Sequence, residues 1–156
     1  MEEVFRKLDD GYHIILLSPQ KVKDRWESLF HYIRQSLPPG TEDSEILKGN
    51  LLLGVEKGTT HVWIGVEVKE DIQHLCGILV TVISIEPLSE TKVMVIYSLT
   101  SVSSILPSLW LKGFEVLKQF AKSNGINSII AYTTNEQLAM LAKKLGAVIH
   151  YTVEVK

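Results

Sequence analysis

The run CGILVTVISI at positions 76–85 is the feature that most restricts the fold of this chain. It is nearly all apolar, and it is far shorter than a membrane-spanning helix, which needs about 20 residues. Such a run is typical of a central β-strand that is covered on both faces. We therefore expect an α/β protein in which helices lie on both faces of a sheet.

Strand-like segments flank this run. In HVWIGVEV (61–68), valine and isoleucine occupy every second position, which places them on one face of a strand. EPLSETK (86–92) predicts a turn, and VMVIYSLT (93–100) predicts the strand that returns from it. Further strands are predicted in GYHIILLS (11–18), SIIAYT (128–133) and VIHYTVEVK (148–156).

Two helices are predicted between the first strand and the second. Ser18 followed by Pro19 is a typical helix start, because the hydroxyl can cap free N–H groups and proline suits the first turn. Apolar residues then recur at helical spacing over 22–33, and LPPG (37–40) ends the helix. A second helix is predicted over 44–53, with Ser44 as its cap.

The last third of the chain carries two more predicted helices. An apolar stripe begins at Trp110 and closes at Asn124-Gly125, which is typical of a left-handed helix end. The last helix is predicted to begin at Asn135 and end at Gly146, with an inner face made of Leu138, Leu141, Ala142 and Leu145. The order of elements predicts one domain over residues 1–156, built on a mixed sheet with helices on both faces.

Charge and cysteine content exclude several functions. The net charge is −2 over 156 residues, and no basic cluster supplies the face that sequence-independent binding to nucleic acid needs. Cys76 is the single cysteine, and its apolar surroundings predict a buried, unreactive thiol. The charged N-terminus lacks the apolar core of a signal peptide. We therefore expect a soluble intracellular protein that binds neither nucleic acid nor a membrane.

Metal and nucleotide motifs are missing from the sequence. The five histidines lack a metal-ligand spacing such as i, i+4 on a helix, and only one cysteine is present to join them. The glycine-rich dinucleotide fingerprint, the phosphate-loop lysine motif and the Gly-x-Ser-x-Gly elbow of a serine nucleophile are also missing. We therefore predict no metal.

The segment FEVLKQFAKSNGINSIIAYTTNEQLAMLAKKLGA (114–147) resembles the C-terminal half of the GNAT superfamily of N-acetyltransferases. AKSNG resembles the end of their long central helix, SIIAYT their fifth strand, and NEQLAMLAKKLGA their fourth helix with its closing glycine. The element order of the whole chain also fits. The resemblance implies a mixed, mostly antiparallel sheet and, in an active member, acetyl-CoA as the acyl donor.

The acetyl-CoA loop of that superfamily has a different sequence here. Its members carry arginine or glutamine, then glycine three places later, then glycine or alanine two places after that. ILPSLW (105–110) has Ile105, Ser108 and Trp110 at these places, and Pro107 lacks an N–H donor. In one interpretation, Ser103 or Ser104 caps the helix and Trp110 packs, partly filling the space that a CoA pyrophosphate needs. In the other, serine hydroxyls replace glycine backbone as the phosphate site. The candidate cofactor-binding residues are Ser101, Ser103, Ser104, Ser108 and Asn135.

The acid of many GNAT enzymes is also missing. It is a tyrosine seven residues after the asparagine of the fourth helix, where this chain has Ala142, and an alanine cannot protonate a leaving thiolate. Glu67 and Glu86 are candidate general bases, and Tyr97 on the predicted fourth strand is a candidate acid. Each also has a structural interpretation, as a solvated glutamate or as a core tyrosine whose hydroxyl is bonded locally.

These departures leave three hypotheses. The leading one is a non-catalytic GNAT-fold module, a pseudoenzyme without a cofactor that binds a protein partner or a second copy of itself in a larger complex or a virus particle. The alternative is a divergent N-acyltransferase that uses acetyl-CoA through a nonstandard phosphate loop. The third is a small-molecule or peptide binder, whose cleft between the fourth and fifth strands is lined by Trp63, Tyr97 and Tyr132.

Overall fold

The computed structural model describes residues 8–103, 107–132 and 136–148. In chain order the elements are β1 (Gly11–Leu16), α1 (Pro19–Asp24), α2 (Trp26–Ile33), a 3-10 turn (Arg34–Ser36), α3 (Glu45–Lys57), β2 (Thr60–Lys69), β3 (Ile72–Ile85), β4 (Lys92–Ser101), α4 (Pro107–Ser123), β5 (Ser128–Ala131) and α5 (Glu136–Lys144). The strand predicted over 148–156 lies outside the described residues, apart from Val148.

The five strands form one sheet in the order β1-β2-β3-β4-β5. The first four strands are antiparallel to their neighbours, and β5 runs parallel to β4. The apolar run at 76–85 lies in β3, the middle strand, as its composition predicts. The prediction of an α/β protein with a mixed, mostly antiparallel sheet is therefore confirmed.

Helices pack on both faces of the sheet. On one face, which we call the α2 face, Val62, Ile78 and Val80 of the sheet pack against buried residues of α1, α2 and α3. On the other, the α4 face, Trp63 and Met94 pack against buried residues of α4. This arrangement explains why β3 is apolar on both sides, since each side is covered by a hydrophobic layer.

Local signals account for most helix ends. The Ser18 hydroxyl accepts the backbone N–H of Lys21 at 3.3 Å and begins α1. Ser44 caps α3 in the same way, through the N–H of Leu47 at 3.1 Å, and α3 continues to Lys57, beyond the predicted end. It ends at Gly58, whose φ of +81° favours glycine.

Two predictions about the helices are wrong in detail. The helix predicted after Pro19 is divided into α1 and α2, because Arg25 has a φ of −120° and a ψ of 20° and leaves the helical conformation. Leu145 was predicted on the inner face of α5 but is 43% exposed. Helix α5 ends at Lys144, so Leu145 lies in the closing turn before Gly146, which has a φ of +88°.

Candidate functional site

Strand β4 has a neighbour on both sides over only part of its length. Strand β5 pairs with residues 93–96 of β4 and ends at Ala131, whereas β4 continues to Ser101. We call residues 97–101 the open half of β4. It pairs with β3 on one side, and no strand among the described residues pairs with its other side. A strand edge of this kind presents backbone N–H and C=O groups to a ligand.

A β-bulge at Tyr97 separates the open half from the paired half. Val80 of β3 lies opposite Ser98 and the next residue, Thr81, lies opposite Ile96, so Tyr97 is the extra residue. A bulge reverses the alternation of side chains between the two faces. Ile96 accordingly packs on the α4 face, whereas Ser98 reaches α2.

The same bulge decides which backbone groups face the open side. The N–H of Val102 donates to the carbonyl of Cys76 on β3 at 2.8 Å. Because backbone groups alternate in direction along an antiparallel strand, those of Ser98 and Thr100 also point to β3. The N–H and C=O groups of Leu99 and Ser101 therefore point to the open side.

Two buried hydroxyls connect the open half to α2. Thr100 donates to the carbonyl of Tyr32 at 2.8 Å, and Ser98 donates to the carbonyl of Ile33 at 3.1 Å. Neither residue is among the candidates predicted from the sequence. The sequence feature that could have identified them is a pair of hydroxyl residues two positions apart in an otherwise apolar strand.

The candidate acid Tyr97 and the candidate base Glu67 lie far apart. Tyr97 is half-buried and packs against the core of the α2 face. Glu67 lies on the α4 face by strand alternation and forms an ion pair with Lys69 at 2.9 Å. Glu67 pairs with His74 of β3, whereas Tyr97 bulges out beside Val80 of the same strand, six residues further on. Six residues correspond to about 20 Å along a strand. One substrate amine cannot contact both side chains.

Lys69 and Glu86 have pKa values shifted by local hydrogen bonds. The hydrogen bond and the charge of Glu67 raise the pKa of the exposed Lys69 ammonium. At Glu86, hydrogen bonds from the hydroxyl and N–H of Ser89 and the N–H of Leu88 lower the pKa of the carboxyl. Those bonds hold the β3–β4 turn, at the end of β4 away from the open half. The contacts of Glu86 therefore agree with its interpretation as a solvated glutamate.

The candidate cofactor-binding residues are described only in part. Ser103 is exposed, its N–H donates to Cys76 at 3.2 Å, and its carbonyl accepts the Ser101 hydroxyl at 3.1 Å. Ser108 lies in the first turn of α4. Ile105, Ser104 and Asn135 lie outside the described residues. The open half of β4 therefore leads through Ser103 toward the start of α4.

Trp63 does not line a cleft. It is 3% exposed, its indole N–H donates to the Thr81 hydroxyl at 3.0 Å, and the ring of Phe120 lies edge-on at 5.0 Å. The cleft predicted from Trp63, Tyr97 and Tyr132 is corrected accordingly, because Trp63 belongs to the core of the α4 face. Tyr132 follows β5 and is 55% exposed.

The residue at the place of the GNAT acid is Ala142 on α5. It is half-buried, and its carbonyl accepts the N–H groups of Leu145 and Ala147 in the closing turn, both at 3.0 Å. Its methyl group has no proton to donate to a thiolate.

The described part of the chain has neither a metal-binding cluster nor a helix that could cross a membrane. Across residues 8–103, 107–132 and 136–148, no three His, Cys, Asp or Glu residues are grouped so that they could hold a metal ion. In the same ranges, no helix combines the length and the apolar character that crossing a membrane requires.

The fold is shared with solved acetyltransferases. A predicted acetyltransferase with acetyl-CoA from Clostridium acetobutylicum matches with a TM-score of 0.66 and 11% identity, covering 93% of this chain and 96% of that one. The ribosomal-protein-alanine N-acetyltransferase from Brucella melitensis matches with a TM-score of 0.63 and 13% identity, covering 94% and 98%. An aminoglycoside acetyltransferase from an uncultured soil metagenomic sample matches with a TM-score of 0.62 and 18% identity, covering 94% and 99%.

Sequence comparison gives no such match. No protein-family model matches the chain, and no curated protein matches it. The likeness therefore lies in the three-dimensional structure, where it extends over more than nine-tenths of both chains in each of the three matches. The chain has the fold of the GNAT superfamily of acetyltransferases.

Proposed function

We propose that this protein is a divergent acyl-CoA-dependent N-acyltransferase, which transfers an acyl group from a thioester to an amine. The observation that carries the proposal is the open half of β4, whose second side pairs with no strand among the described residues, and which precedes α4 in the chain. The solved structures that share the fold are named as acetyltransferases, and this supports an acyltransferase more than a non-catalytic module.

The chemistry of CoA matches the two parts of this region. Its pantetheine arm carries two amides, which can pair with a strand edge as an added peptide strand does. In the proposal, the backbone groups of Leu99 and Ser101 make these bonds. The pyrophosphate binds at the N-terminus of α4, a helix of 17 residues, where free N–H groups and the helix dipole favour an anion.

The altered loop is compatible with this site. Pro107 is the first residue of α4, a position whose N–H makes no bond within the helix in any case. Hydroxyls of Ser103, Ser104 and Ser108 supply donors to phosphate in the proposal, in place of the usual glycine backbone. Trp110 is half-buried, one turn further along α4.

The reaction needs a proton acceptor, an oxyanion donor and a proton donor. The amine nitrogen attacks the thioester carbonyl carbon, its proton passes to water, and the C–S bond breaks. An N–H group of the open half stabilises the oxyanion. Tyr97 protonates the thiolate in this scheme, because it is the phenol at the start of the open half. Glu67 lies too far from Tyr97 to act on the same amine.

The second candidate is the non-catalytic binding module, which works with a protein partner or a second copy. Ala142 is the observation that favours it, because many enzymes of this fold have their acid at that place. The two candidates differ in whether CoA binds and whether a thiol is released.

Calorimetric titration with acetyl-CoA and with CoA tests the proposal. We expect micromolar binding, which corresponds to about −8 kcal/mol, and weaker binding in Ser104→Ala and Ser108→Ala. Titration with adenosine 3′,5′-bisphosphate and with pantetheine separates the phosphate site from the strand edge. The absence of heat with millimolar acetyl-CoA would contradict the proposal and leave the binding module.

A thiol-release assay with a panel of amines then tests the role of Tyr97. Tyr97→Phe should lower kcat while the Kd for acetyl-CoA stays unchanged, because the hydroxyl acts on the leaving group alone. Glu86→Gln is the matched control, since this carboxylate is bonded in the distant β3–β4 turn. Equal kcat in wild type and Tyr97→Phe would remove Tyr97 as the acid.

A further inference from the structure

The open half of β4 lacks the support that the rest of the strand receives. Residues 93–96 are bonded to strands on both sides, whereas residues 97–101, among the described strands, pair with β3 alone. A strand segment with one neighbour has fewer bonds to break when it opens, so its backbone moves more readily than that of a central strand. A ligand that pairs with the free edge needs that edge to hold its position.

The end of α2 supplies the missing support. The last four carbonyls of a helix have no partner within the helix. The Arg34 N–H bonds to the carbonyls of Phe30 and Tyr32, and the Gln35 side chain donates to that of His31 at 3.2 Å. The last two carbonyls receive the hydroxyls of Thr100 and Ser98, which are 4% and 3% exposed. Both bonds are therefore shielded from water.

The direction of these hydroxyls depends on the bulge at Tyr97. In a regular strand of the same sequence, with Tyr97 paired to β3, Ser98 and Thr100 would continue the alternation of Met94 and Ile96 and point to the α4 face. With the bulge, they reach α2, and the backbone groups between them turn to the open side. The bulge therefore determines both which backbone groups face the open side and which side chains bond to α2.

We propose that Ser98 and Thr100 are positioning residues, which fix the open half of β4 so that the backbone groups of Leu99 and Ser101 stay aligned for an acyl donor. The inference rests on the proposed function. The two hydroxyls do not touch the donor and act only through the strand that carries them. Their bonds to a helix end oppose movement of the strand away from α2.

Binding of acetyl-CoA to Thr100→Val tests the inference, since valine keeps the shape and removes the hydroxyl. We expect Kd to rise about tenfold, the effect of losing one well-placed hydrogen bond, and Thr100→Ser to bind as wild type does. Thr81→Val is the matched control, because it removes a fully buried hydroxyl from the neighbouring strand on the α4 face. Unchanged binding by Thr100→Val, or equal weakening by Thr81→Val, would overturn the inference.

Amide hydrogen exchange without ligand separates this inference from the proposed function. If wild type binds no acetyl-CoA, the proposed function fails, and exchange at Ser98 and Val102, whose N–H groups point to β3, decides the positioning role alone. We expect these two amides to exchange about tenfold faster in Thr100→Val than in wild type. In Thr81→Val they should exchange as in wild type. Equal exchange in wild type and Thr100→Val would overturn the positioning role.

Discussion

The two faces of the sheet are attached to their helices by different interactions. On the α2 face, directional hydrogen bonds from Ser98 and Thr100 supplement a large apolar core. On the α4 face, ring contacts supplement an aliphatic core, and the ring of Phe120 lies edge-on at 5.0 Å from both His61 and Trp63. Apolar packing resists separation of the layers, whereas hydrogen bonds also fix position and direction.

Strand β4 contributes side chains to both faces of the sheet, with each half contributing to a different face. Its paired half contributes Met94 to the core of the α4 face, and its open half directs Ser98 and Thr100 to the α2 face. The open half is therefore aligned by the hydrogen bonds to the α2 layer. Substitutions on the α2 face near β4 should change ligand binding, whereas those on the α4 face should change stability alone.

The largest expected effect concerns packing of α3 on the α2 face. A Cβ atom added at Gly54 would lie 2.2 Å from the hydroxyl oxygen and 3.0 Å from the Cβ of the buried Thr60. Because neither element can shift without opening the core, Gly54→Ala should lower the free energy of unfolding by about 3 kcal/mol. Urea denaturation measures the change.

Gly49 on the same helix provides the control. A Cβ atom there meets nothing within 4 Å, so Gly49→Ala should raise the free energy of unfolding by about 0.5–1 kcal/mol through helix propensity. Opposite signs for the two alanines would confirm close packing on the α2 face. Similar small effects of both would show that α3 moves away from Thr60 at little cost.

A smaller effect is expected at His61 on the α4 face. Burial against Phe120 lowers the pKa of His61 below the ordinary value of 6.5. Below that pH the unfolded chain takes up a proton that the folded protein takes up only at lower pH, so stability falls as the pH falls from 7 toward 5. His61→Phe removes this titration and keeps a ring beside Phe120. Urea midpoints should therefore fall less in the variant than in wild type over this pH range, and parallel profiles would contradict the prediction.

The sequence alone predicts the sheet and most helix ends because their signals are local. The alternation in 61–68 and the caps at Ser18 and Ser44 depend on neighbouring residues only. The break at Arg25 was not predictable in this way, because neither proline nor glycine marks it. Local patterns therefore give the elements more reliably than their interruptions.

The site was harder to predict because it depends on strand register. Met94, Ile96, Ser98 and Thr100 alternate without interruption in the sequence, so a regular strand would place all four on one face. Only the pairing with β3 reveals the bulge that sends the last two to α2. The separation of Glu67 and Tyr97 was hard to predict for the same reason, because it depends on the pairing of β2, β3 and β4.

The smallest effect is expected at the β3–β4 turn, which belongs to neither face. Hydrogen bonds from the hydroxyl and N–H of Ser89 and from the N–H of Leu88 lower the pKa of Glu86 below its ordinary value of 4.5. The stabilisation is present above pH 4.5 and is lost as the pH falls through the lowered pKa, because protonation weakens the bonds. An NMR titration should give a value below 4.5 in wild type and a higher one in Ser89→Ala, which lacks the hydroxyl. Because the turn lies at the end of β4 away from the open half, the same substitution should leave acetyl-CoA binding unchanged. Any loss of binding would mean that the open half of β4 is sensitive to the far end of the strand as well.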